Sequence, residues 1–267
     1  MPEMVDFSAK DVQNLRKLTG VGMMDAKRAL TENDGDMEKA VTWLREKGLS
    51  KAAERAERAN EQGAVSVVKN GNVAAIAEVN CETDFVAKSE QFTNLVEELA
   101  LAVAEGGEQA VAEHQDAIDD LRITLKENIA VGRVFRFEAS DGAVIGTYLH
   151  TQSGRGVNAV MVELQGGDEA LATDICHHIA FTKPQWLSRH DVPADRVAEE
   201  RQVLESITRN EGKPEGAIPK IVEGRLNGFY KEHVLLDQDY VKDNKVTIAK
   251  LLGDARITRF AQAAIGG

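Results

Sequence analysis

The sequence predicts an α+β fold: an N-terminal three-helix module, then a duplicated core of antiparallel strands and helices, with an antiparallel helical hairpin inserted in the second copy. Three observations predict it. The first fifty residues hold three short helical patterns separated by Gly- and Asn-containing breaks. The order Gly-Ala-Val, hairpin, helix, helix, strand begins at Gly63 and again at Gly142. Two long apolar stripes around the turn at 210–216 interrupt the second copy. The division is 1–50 for the module, 51–62 for a linker and 63–140 for the first core unit. The second unit takes 141–193 and 237–267, with the inserted hairpin at 194–236.

Ser8 with Asp11 three residues on has capping-box spacing, and Val12, Leu15 and Leu18 follow at helical intervals. Thr19-Gly20-Val21-Gly22 breaks that helix, and a second runs from Met23 to Thr31. Asn33-Asp34-Gly35 has turn chemistry. Asp36 caps a third helix carrying Ala40, Val41 and Leu44, with Gly48 as its C-terminal stop. Residues 50–62, rich in Ala, Lys, Arg and Glu, read as a helical or flexible linker. Asn70-Gly71 between two β-prone runs predicts a hairpin with a type I′ turn. Val86–Glu105 then reads as one helix, with Phe92, Leu95, Val96, Leu99 and Val103 on one face, followed by a helix from Ala117 to Asn128 and a strand from Ile129 to Glu138.

In the second copy, strands run from Gly142 to His150 and from Val157 to Leu164. Asp168 opens a helix to Phe181, Thr247–Leu252 is a short helix, and a last strand covers Arg256–Phe260. The inserted stripes are Val197, Leu204 and Ile207, then Ile218, Ile221, Val222, Leu226 and Phe229. A 3.6-residue stripe packs against any apolar neighbour, so a protruding arm and an element packed on the core are both open.

Of 267 residues, 32 are basic and 44 acidic, a formal charge of −12. Residues 1–60 are neutral, with 11 of each sign, whereas Glu97–Glu127 holds nine acids against Arg122 and Lys126. Nucleic acid is a poor direct partner for such a chain, because phosphate neutralisation needs a basic surface. Cys81 and Cys176 are too few for a disulfide framework or a four-thiolate zinc site. No apolar run reaches the ~20 residues of a membrane span. The start, Met1–Asp6, lacks the basic and apolar parts of a signal peptide. A cytoplasmic location is expected.

Enzyme motifs are missing: there is no phosphate loop, no His-Glu-x-x-His and no Gly-x-Ser-x-Gly. Gly20-Val21-Gly22 lacks a preceding strand and a third glycine. His177 and His178 are adjacent and point about 100° apart on a helix, unlike a chelating i,i+4 pair. No metal and no cofactor are expected. The stretch Asn80–Val86, joining a strand to a helix, is locally odd. Thr83 suits a cap and Asp84 a first turn, where the dipole favours a carboxylate. Phe85 is either core or an exposed wedge. The matching junction, Leu164–Asp168, has the acid without an aromatic, so the repeat itself does not demand one.

Two stretches are similar to signatures of the elongation factor Ts family: Leu15–Leu30, with Thr19-Gly20-Val21-Gly22-Met23-Met24-Asp25, and Glu78–Lys88, with Asn80-Cys81-Glu82-Thr83-Asp84-Phe85-Val86. Softer matches are Gly146–His150, Lys183-Pro184, Gly212–Pro214 and Val222–Arg225. The resemblance covers nearly the whole chain. It implies a ubiquitin-associated-like first module and a projecting coiled coil for the insertion. It also implies a guanine-nucleotide exchange factor, not an enzyme, whose partner is elongation factor Tu in GDP-bound and nucleotide-free states. No membrane is implied, and no nucleotide bound by the chain itself. Thr83, Asp84, Phe85 and Val86 would disturb the partner's Mg²⁺ site, while Arg16, Met23, Met24 and His150 would make other contacts. Met23 and Met24 serve equally well as module core. Ala26 departs from the Cys of many members, and the helical C-terminal module of some members is not found before Gly267. A protein-binding adaptor without exchange activity, and a thiol enzyme built on Cys81, are the alternatives.

Overall fold

The computed structural model describes residues 7–266, so the N-terminal reading of Met1–Asp6 lies outside them. In the first module, Ser8 caps α1 (Ala9–Thr19). Its hydroxyl accepts from the Asp11 N–H, while the Asp11 carboxylate accepts from the Ser8 N–H at 2.8 Å. Gly20 ends the helix at φ +69°. α2 is Met23–Glu32, and Asp36 caps α3 by accepting from the Glu38 and Lys39 N–H groups. Val12, Leu15, Ala26, Leu30, Ala40 and Leu44 form the core. Leu18, predicted on the buried stripe, is 68% exposed, because α1 turns its first two apolar positions inward and ends there.

Gly48 does not stop α3, which runs unbroken over Met37–Arg55. A Cβ at Gly48 would lie 2.8 Å from Ile123 Cγ1, so the glycine permits close approach of a later helix. Glycine inside a helix costs about 1 kcal/mol; that contact offsets it.

The first core unit contains β1 (Gln62–Asn70), β2 (Val73–Cys81), α4 (Asp84–Ala87), α5 (Glu90–Gly106), α6 (Ala110–Glu113), α7 (Gln115–Leu125) and β3 (Ala130–Glu138). The β1–β2 loop is Gly71-Asn72, since Asn70 pairs with Val73. Only Gly71 of the two has positive φ, which is the II′ pattern rather than the predicted I′. The helix expected from Val86 is split at Lys88-Ser89, where extended Ser89 starts α5 afresh.

The second unit contains β4 (Ala143–Gln152), β5 (Arg155–Gln165), α8 (Glu169–Thr182), α9 (Ala194–Asn210), α10 (Ile218–His233), β6 (Asp239–Tyr240), β7 (Asp243–Thr247), α11 (Ile248–Leu252) and β8 (Arg256–Ala264). The β6–β7 ribbon was not foreseen. α9 and α10 pack on each other, with Val222, Leu226 and Phe229 buried and Ile207 half-exposed, so Ile207 leaves its predicted stripe. Leu235, placed in the insertion, is fully buried in the second unit's core.

Each unit builds a three-stranded antiparallel sheet, β1-β2-β3 and β4-β5-β8. Strand alternation gives each sheet two apolar faces. On the first sheet, Ala77 and Val79 meet Phe92, Leu95 and Leu99 of α5. On the second, Val160 and Val162 meet Ile175 and Ile179 of α8. The opposite faces meet each other through Val65, Ile76, Phe137, Ile145 and Met161.

Two ion pairs, one within each sheet, share a geometry in which the arginine also reaches across this layer. Arg133 Nε donates to Glu78 at 2.5 Å, and its Nη2 donates to the Ala264 carbonyl at 2.6 Å. Arg259 Nε donates to Glu163 at 2.5 Å, and its Nη2 donates to the Glu138 carbonyl at 2.8 Å. Each arginine is the fourth residue of its unit's third strand, and each reaches the last residue of the other unit's third strand. Glu163 is only 2% exposed. Despite that burial its carboxyl stays below the ordinary value, held down by the Ser140 N–H and Arg259.

Candidate functional site: a braced corner with an exposed aromatic

β2 ends at Cys81, and α4 begins at Asp84. Thr83, extended at φ −121°, caps α4 by accepting from the Val86 N–H at 3.3 Å. The brace is Glu127, just before β3. Its carboxylate accepts from the Glu82 N–H at 3.0 Å, the Thr83 N–H at 3.1 Å and the Thr83 hydroxyl at 2.5 Å. In return the Asn128 N–H donates to the Glu82 carboxylate at 2.6 Å. The Asn128 side-chain amide donates to the Ala56 and Arg58 carbonyls just past the end of α3. The four bonds to the Glu127 and Glu82 carboxylates are charge-assisted, a class about twice as strong as neutral ones.

On this support Phe85 stands 83% exposed, so the core reading of its ring fails. A tight four-residue helix turns Ala87 inward and leaves the aromatic outside. Asp84 pairs with Lys88 one turn on, Nζ to Oδ2 2.5 Å, and that hydrogen bond holds its carboxyl below the usual range. Both partners are partly exposed. Exposed i,i+4 pairs contribute little net stability, so Asp84 can exchange Lys88 for another partner at little cost.

Cys81 lies buried beneath the corner and donates to the Thr83 carbonyl. Burial pushes its thiol up to about 12, which argues against a nucleophilic thiolate.

The other candidate residues sit elsewhere. Arg16 and Met23 line one shallow cleft of the first module, beside Gln13. Met23 is 44% and Met24 77% exposed, so neither belongs to the module core. His150 is exposed near the end of β4, its Nδ1 3.1 Å from the Tyr148 hydroxyl. The edge of His177 packs against that tyrosine, with ring centroids 4.4 Å apart. His178 turns inward, fully buried. The Val241 N–H donates to its Nδ1, its Nε2 lies 2.9 Å from Gln238 Oε1, and burial lowers its pKa.

Sequence reasoning missed Glu127. It lay at the end of a run of acids, with no local signal to separate it from solvated neighbours; only the fold brings it to residues 82 and 83.

The family model described as elongation factor TS matches residues 82–267. A curated elongation factor Ts of Clavibacter sepedonicus is 43% identical, over 98% of this chain and all of its own length. The chain belongs to the elongation factor Ts family. Two further family members, from Acidothermus cellulolyticus and Deinococcus deserti, are 43% and 41% identical over 98% and 96% of this chain and 99% of their own. Matched over nearly its whole length, this chain also spans nearly all of these relatives. Among its described residues, no helix is long and apolar enough to cross a membrane.

Proposed function

We propose that this member of the elongation factor Ts family promotes GDP release from elongation factor Tu, with the Thr83–Val86 corner acting on the partner's Mg²⁺ and phosphate site. The observation that carries the reading is the solvent-facing Phe85 ring on a support fixed by Glu127. A large exposed aromatic on rigid backbone suits insertion into a partner's packed side chains, because little ordering entropy remains to be lost. Asp84 supplies a carboxylate beside it. Disturbing the ligands of a cation that neutralises diphosphate charge weakens nucleotide binding. Arg16, Met23 and Met24 form a second contact surface, in which methionine supplies adaptable apolar area. His150 supplies a third, from the second unit.

The thermodynamics is linkage. The factor binds nucleotide-free partner more tightly than GDP-bound partner, and GDP weakens the factor's grip by the same ratio. No covalent bond changes, and both release and rebinding are accelerated.

Stopped-flow release of fluorescent GDP from elongation factor Tu tests the reading. Asp84→Ala and Phe85→Ala slow release while the chain stays folded. A wild-type rate in the double variant overturns the corner's role. Binding to elongation factor Tu without acceleration by the wild-type chain establishes the adaptor reading instead.

A further inference from the structure

A cavity of about 250 Å³ lies where α3 crosses α7. Four cations line it: Lys47, Lys51 and Arg55 on α3, and Lys126 just past α7. Asp25 is the single carboxylate in its wall, so the lining carries 4 − 1 = +3 in a chain of net −12. Lys47, Lys51 and Arg55 are spaced i, i+4, i+8, which stacks them on one helix face. Like charges in that spacing repel and destabilise a helix. Among the described residues none of the four cations forms a salt bridge, although this chain pairs most of its arginines elsewhere. Arg55 Nη2 donates to the Arg122 carbonyl, but its Nε is buried with no acceptor. Buried donors of charged groups are costly to leave unpaired. An acceptor with several oxygens and negative charge would answer both features.

We propose that this cleft binds a small anion of the phosphate class, with pyrophosphate as its simplest form. A guanidinium and ammonium groups lining one cleft from two elements match tetrahedral oxyanions. Trp43, whose ring lies 4.2 Å from Lys47 Nζ, forms the far wall and reports on occupancy. The site owes nothing to Phe85 or Asp84, so its test is independent of the exchange assay.

The experiment is titration calorimetry of the full chain with sodium pyrophosphate, repeated on Lys51→Gln, Arg55→Gln and, as a control on α10, Lys220→Gln. Binding to wild type is saturable at about millimolar ligand or below, with a change in Trp43 fluorescence that is lost in Trp43→Phe. Lys51→Gln and Arg55→Gln each weaken it roughly tenfold or more, and Lys220→Gln leaves it unchanged. Without ligand, Lys51→Gln unfolds no lower than wild type, because it relieves repulsion. Absence of saturable binding by wild type overturns the proposal, as does equal affinity in the Lys51→Gln/Arg55→Gln double variant.

Discussion

The two core units solve one folding problem twice, and apart from the α9–α10 hairpin and the β6–β7 ribbon of the second they contrast most at one junction. In both, a hairpin leads to a helix that covers the outer face, and a third strand returns to the sheet. In both, an arginine in the third strand pairs with a glutamate of the central strand and reaches across to the other sheet. At the exit from the hairpin they part. Asp168 accepts from the Leu171 N–H at 2.8 Å, and α8 starts at once. After Cys81 the chain inserts α4, a brace to Glu127 and an exposed phenylalanine. Shared features serve the fold. The unshared corner adds nothing that the second unit needs in order to fold, which is why it is the candidate for recognition.

That division is open to attack by substitution. The largest stability effect is expected at Phe92, buried on α5 seven residues after Phe85. Phe92→Ala loses about 3–5 kcal/mol in denaturant unfolding, while Phe85→Ala stays within about 0.5 kcal/mol of wild type. A large loss at Phe85 breaks the division.

The crossed arginines come next. Arg259→Ala leaves Glu163 buried and short of a partner, and is expected to lose about 3 kcal/mol. Arg133→Ala, facing Glu78, does the same within about a kcal/mol. Unequal losses show that the two units do not share the device. Smaller again is Asp168→Ala, at about 1 kcal/mol for a lost cap, read as a drop in Tm.

The finest contrast is in pH. Burial lowers the pKa of His178, so the folded state favours the neutral ring. Its contribution is fully present above the unfolded value of about 6.5 and is lost as pH falls below it. Thermal unfolding between about pH 7 and pH 5.5 is expected to show this acid loss in wild type and a smaller one in His178→Gln. The first unit has no counterpart to this histidine.

The repeat was legible because periodicity and turn residues are local signals, repeated in the same order. So were the capping box at Ser8 and the cap at Asp168. What escaped depended on contacts distant in sequence. Gly48 looks like a helix stop until Ile123 is brought against it. Glu127 looks like one acid among nine until the fold sets it under Thr83. Phe85 remained undecided because a four-residue helix has no periodicity to read. The Glu78–Arg133 and Glu163–Arg259 pairs recur at equal offsets in each third strand, but that pattern becomes visible only once the strands are aligned.

The unbroken α3 has a mechanical consequence. Nineteen helical residues rise about 28 Å, and carbonyls just past them are held by Asn128, so this helix is a strut rather than a tether. Under the proposed function, the methionine-bearing surface and the aromatic corner are thereby offered to the partner at a set separation, as a two-pronged ligand. When one prong engages, the other arrives at high effective concentration only if the strut's length suits the partner. A single residue inserted near Gly48 would rotate one prong by about 100° relative to the other, leaving each intact and their joint grip lost.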